Sequence, residues 1–116
     1  MQVGNINVIN KHKTNIPLTG GFEITRGTPL CNPYKLSNGY TRQEAIDLYR
    51  EWLRYHYKKH SGAAYRELMK LVELVEEGWN ITLICVCKPL PCHGDVVKDA
   101  IEKLILHRRD AKNRKT

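Results

Sequence analysis

No stretch of this chain approaches the roughly 18 consecutive apolar residues of a membrane-spanning helix, so no transmembrane segment and no membrane partner are expected. The first residues, Met1 to Asn10, lack a basic segment followed by an apolar block, and no secretory leader is expected. A cytoplasmic location follows as the default. There the four cysteines are more readily thiols or ligands than disulfides. The chain also lacks zinc-finger spacing, a basic zipper and an RNP-like aromatic motif, which removes the common nucleic-acid-binding modules. It has no internal repeat and no low-complexity segment. With 116 residues it holds one modest core, so residues 1–116 are expected to form a single domain with one site, or a site shared across a dimer.

What the chain does have is positive charge, unevenly spread. Of a net charge of +7, more than half comes from a basic tail over about residues 107–116, where five Lys and Arg face one Asp. Such a tail complements a helix dipole and often frays into solvent; the alternative is a nucleic-acid contact.

The elements follow from periodicity. Asn5 to Ile9 alternates weakly as a first strand, Lys11 to Gly21 is a polar loop, and Phe22 to Arg26 alternates as a short second strand. The next stretch, Arg26 to Tyr34, is too rich in Gly and Pro for regular structure and reads as a structured loop. Thr41-Arg-Gln-Glu44 is a capping box, opening a helix whose Ala45, Leu48, Tyr49, Trp52, Leu53 and His56 recur at helical spacing. A break at His60-Ser-Gly62 precedes a second helix with Leu68, Leu71, Val72 and Val75 on its apolar stripe and Gly78 as its stop. Ile81 to Cys87 reads as a central strand, and Val97, Ala100, Ile101, Leu104 and Ile105 as a third helix. Three main strands and three helices in this order predict an α/β fold, a small Rossmann-like sandwich with helices on the sheet faces. Whether the first two strands pair parallel or antiparallel is left open by this order.

The richest segment is Ile81 to Asp95, a strand, a Pro-bounded loop and a helix start. In open α/β sheets ligands gather where the carboxyl ends of strands meet helix N-termini. Cys87, Lys88, Cys92, His93 and Asp95 are expected there.

Two blocks, Arg26-Gly-Thr-Pro-Leu-Cys-Asn-Pro-Tyr34 and Cys85-Val-Cys-Lys-Pro-Leu-Pro-Cys-His-Gly-Asp95, resemble the signatures of the DUF4326 family, small domains found in bacteria and their phages. The second block matches Cys-x-Cys-x-Pro-x-x-Cys-His-Gly-Asp at every defined position, and the likeness runs from Arg26 to Leu104. The family carries no established activity, so the resemblance implies a fold and a site rather than a reaction. Cys31 stands where the family usually has Gly, which implies that it is not an obligatory ligand.

Cys85, Cys87, Cys92 and His93 have the count of a zinc site, but Cys-x-Cys lacks the two-residue turn of zinc knuckles; no metal and no cofactor are expected. Cys85 and Cys87 read instead as small buried hydrophobes. Cys92 has two readings: a nucleophile whose pKa is depressed by the helix start, the imidazole and Lys88, or an N-cap paired with Asp95. His93 reads as a solvent-facing or ligand-facing acid or base, and Asp95 as a partner for sugar hydroxyls. Gly94 would permit close backbone approach. Across from them, Arg26, Gly27, Thr28 and Asn32 would form the opposite wall, with Arg26 as a clamp for phosphate.

His56 and His60 read as packing residues, and Tyr49, Trp52, Tyr55 and Tyr57 as core together with a homodimer surface. The expected function is binding of a nucleotide or nucleoside-sugar-like phosphorylated ligand, with hydrolysis or transfer at a glycosidic or phosphate bond if the protein is an enzyme. Catalysis would fall to His93, Asp95 and Cys92. The alternative is a non-enzymatic accessory protein that binds nucleic acid, through its tail, or sequesters a nucleotide.

Overall fold

The structure, a computed structural model, describes residues 3–12, 20–25, 27–86, 90 and 92–114, with side chains through Arg109. The elements run β1 (Ile6–Asn10), β2 (Gly21–Glu23), a 3-10 turn (Leu36–Asn38), α1 (Arg42–Lys59), α2 (Ala63–Glu76), β3 (Ile81–Cys85) and α3 (His93–Arg114). This is an α/β fold with the expected element order. The sheet order is β1-β3-β2 and both pairings are parallel, in register Ile6↔Ile81 to Asn10↔Cys85 on one side and Gly21↔Thr82 to Glu23↔Ile84 on the other. β3 is central, as its largely apolar run, Ile81-Thr-Leu-Ile-Cys85, suits a strand flanked on both sides.

Two strands end sooner than their sequence suggests. β2 stops at Glu23; after the Ile24 N–H donates to Ile84 O, the chain turns, with the Thr28 N–H and hydroxyl both donating to Thr25 O. β3 stops at Cys85 because its partner β1 ends opposite it, and Val86 is already exposed.

Side chains alternate across a strand, so Ile6 and Val8 point with Ile81, Leu83 and Cys85 to one face. That face meets Tyr49 and Leu53 of α1, Leu68, Leu71, Val72 and Val75 of α2, and Val97, Ile101 and Ile105 of α3 in one apolar cluster. All three helices therefore share a core with a single face of the sheet, rather than being divided over both. Each fully buried Leu in that cluster contributes about 1.5–3 kcal/mol. Ile84 is buried too but belongs to the opposite face.

The helix boundaries follow local chemistry. Thr41 Oγ1 accepts from the Glu44 N–H and Glu44 Oε1 accepts from the Thr41 N–H, completing the capping box. α1 closes at His60, whose φ of 54° is left-handed, and Gly78, at φ 100°, follows the end of α2. The α3 backbone remains helical to Arg114, through most of the segment expected to fray. No helix among the described residues is long and apolar enough to cross a membrane.

Candidate functional site

Parallel strands deliver their carboxyl ends to one edge, and this brings the two sequence blocks together. The first block leaves β2 and the second leaves β3, so both emerge on the same side of the sheet. Between them lies a cleft of about 590 Å³, lined on the first side by Cys31, Asn32, Tyr34 and Lys35, on the second by Cys92 and His93, and across the start of α1 by Arg42.

The first wall is fastened to α1. Tyr49, wholly buried, donates its hydroxyl to Leu30 O at 2.7 Å; burial, and then the nearby Cys31, push its pKa well up, so it stays a donor. Asn32 Nδ2 donates to Ala45 O at 3.3 Å, and its Oδ1 accepts from the Tyr34 N–H at 2.9 Å. Its amide thus closes the loop as well as facing the cleft. Gly27 takes φ 90°, a left-handed conformation that side chains disfavour, to open the turn.

The second wall is built by packing. Cys92 is only 2% exposed and its Sγ lies 3.6 Å from Cys85 Sγ. Asp95 Oδ2 accepts from the Cys92 N–H at 3.2 Å, and the Asp95 N–H donates to Cys92 O. Cys92 and Asp95 form a capping arrangement, the second of the two readings of Cys92. The expected depressed pKa is corrected: burial and then Cys85 push the thiol up to about 12, which outweighs the helix start. Cys92 is a protonated thiol at neutral pH, not a thiolate nucleophile.

His93 is held rather than free. Its Nε2 lies 2.6 Å from Ile24 O, and its ring meets Tyr49 edge-on at 5.0 Å. A carbonyl only accepts, so Nε2 carries the proton and Nδ1 is the acceptor. Burial lowers the His93 pKa below 6.5, against the smaller opposing pulls of Ile24 O and Asp95, and the ring is neutral. Gly94 also has a structural use. A Cβ there would come within 2.8 Å of Val8 Cγ1 and 3.1 Å of Ile24 Cδ1, so its lack of a side chain lets the helix start lie on the sheet.

Of the residues picked out from sequence, Asn32, Cys92 and His93 meet at the cleft. Gly94 and Asp95 lie directly behind them, as packing and cap. Gly27 and Thr28 shape the first loop without lining the cleft, and the Thr28 hydroxyl is spent on Thr25 O. Arg26, Cys87 and Lys88 lie outside the described residues. Among the described residues no three His, Cys, Asp or Glu side chains come together as metal donors.

Sequence reasoning missed Lys35 and Arg42. Arg42 carried a readable signal, since a cation in the first turn of a helix opposes the dipole and acidic residues are favoured there. The α1 aromatics divide: Tyr49 is core, Trp52 stacks on it at 5.4 Å, and Tyr55 is exposed with Lys59 over its ring. His56 packs on Trp52, and His60 on Tyr57 and Tyr65.

The chain matches a domain of unknown function, DUF4326, over residues 7–103, and it belongs to that family. No curated protein and no solved structure matches it.

Proposed function

We propose that the cleft binds a small phosphorylated, nucleotide-like ligand, with the phosphate against Lys35 and Arg42 and the polar remainder against Asn32 and His93. The observation that carries this reading is the sign of the cleft. Among the described residues its charged lining side chains, Lys35 and Arg42, are both cations, and α3 opens onto the same space. A helix start directs partial positive charge outwards and adds to theirs. Tyr34 supplies a ring face for a base, edge-on to Tyr40.

Binding without turnover is the better supported form of this reading. A nucleophile is missing at Cys92, whose thiol is protonated, and Asp95 is engaged in the helix cap. Hydrolysis or transfer at a glycosidic or phosphate bond would rest on His93 Nδ1 as the base.

Calorimetric titration with nucleoside 5′-monophosphates and with the matching nucleosides tests the proposal. Monophosphates are expected to bind and nucleosides to fail. Arg42→Ala should weaken binding by about 1.5–3 kcal/mol through loss of a charge-assisted contact. Equal binding of both ligand sets, or an unchanged affinity in Arg42→Ala, overturns it. Chromatography of the incubated mixture separates a binder from an enzyme.

A further inference from the structure

Away from the cleft, α1 and α3 enclose a groove of about 380 Å³ between them. Its register is fixed by Asp99, whose Oδ2 lies 3.4 Å from Arg50 Nη1 and 3.0 Å from Lys103 Nζ. From that level, steps of four residues carry α1 through Arg54 and Lys58, and α3 through Lys103 and His107, all of them lining the groove. Four residues rise about 6 Å along a helix, so the α1 wall presents a cation about every turn, and the α3 wall follows Lys103 with the His107 ring. Asp99 is the acidic residue of the lining and is already shared between two cations; among the described residues neither Arg54 nor Lys58 is ion-paired. The result is a track of surplus positive charge with little acid to cancel it.

The floor of the groove narrows the choice of occupant. Leu53 and Leu68 are 3% and 1% exposed, so the apolar surface left at the floor is that of the half-buried Ala100 and Leu104 and of the Tyr57 ring. Tyr57, half-exposed, lines the groove with Arg54 and Lys58 and lies beside the rings of His60 and Tyr65. Regularly spaced cations beside a partly exposed aromatic ring suit a linear polyanion whose bases stack. We infer that this groove binds single-stranded nucleic acid, with phosphates along Arg54, Lys58, Lys103 and His107 and a base against Tyr57. The track is independent of the cleft, and it lies on α1 as much as on the basic end of α3.

Fluorescence anisotropy of a labelled oligothymidylate, titrated with the full-length protein over a series of KCl concentrations, tests this. Binding is expected with an inverse salt dependence. The exposed double reversal Arg54→Glu with Lys58→Glu should lower affinity at least tenfold (~10-fold or more) and flatten the log–log salt slope by about 1.4, two phosphate contacts at about 0.7 each. Tyr57→Ala should weaken binding with the salt slope kept, and Arg42→Ala, at the cleft, should leave it unchanged. A melting curve like that of the wild type shows that the reversed variant is folded. The inference is overturned if the reversed variant binds as before, if deletion of residues 112–116 alone abolishes binding, if duplex is preferred, if polyglutamate displaces the probe as well as unlabelled oligothymidylate does, or if no binding occurs at low salt.

Discussion

Two helix starts face each other across the cleft, α1 at Arg42 and α3 at His93, and they are held by different means. The start of α1 is exposed and local: Thr41 and Glu44 satisfy each other within four residues, and no distant contact is needed. The start of α3 is buried and assembled from three strands. Cys92 rests against Cys85 of β3, Gly94 against Val8 of β1, and His93 against Ile24 at the end of β2. An exposed cap fixes the backbone of a helix end through bonds to near neighbours in sequence. A packed start fixes the side chains as well, so α3 offers a preformed wall to whatever enters.

This difference is broken most severely at Gly94. Gly94→Val should destabilise the fold by about 3 kcal/mol, because the added methyls meet Val8 and Ile24 where a helix and a sheet already touch. The denaturant midpoint measures it. Somewhat smaller is His93→Ala, at about 2 kcal/mol, which removes a partly buried ring and leaves the Ile24 carbonyl without its donor.

His93 also gives the comparison a pH signature. Its pKa is lowered in the folded protein, so as pH falls through 6.5 the unfolded chain takes up the proton first. Stability is therefore full above that pH and declines below it, until the folded-state pKa is reached. In melts between pH 8 and 5, roughly spanning this window, the gap between wild type and His93→Ala should narrow as the pH drops. A constant gap would mean that the ring is not buried neutral. The smallest effect is expected from Thr41→Ala, about 1 kcal/mol for the lost cap, with ligand binding at α3 unaffected.

The same contrast explains what was legible in the sequence. The capping box, the break at Gly62 and the helical stripes all depend on neighbours within a few residues, and they stand where periodicity puts them, as does the start of the central strand. The second-block residues Cys92 and His93 do line the cleft, but their states are not legible in local pattern. A thiol at a helix start reads as activated until the contact with Cys85 is known, and a histidine next to glycine reads as exposed until Ile24 and Tyr49 are placed. Lys35 and Arg42 escaped notice for a related reason. They reach the cleft because Tyr49 and Asn32 pin the first loop to α1, a tertiary arrangement that no local pattern announces.

The sheet order has a consequence in time. Among the described residues β1 and β2 are not paired with each other; each pairs with β3, which follows both in the chain, and the Asn5 N–H finds its Asn80 partner 75 residues away. At roughly 5–20 residues per second of synthesis, β1 waits about 4–15 s for its partner, while the adjacent α1 and α2 need no such wait. Contacts of such long sequence separation also slow refolding. Until β3 arrives, Ile6 and Val8 have no sheet to join. The wall that carries Cys92 and His93 is thus among the last parts of the molecule to take shape, because the strand that leads into it completes the sheet.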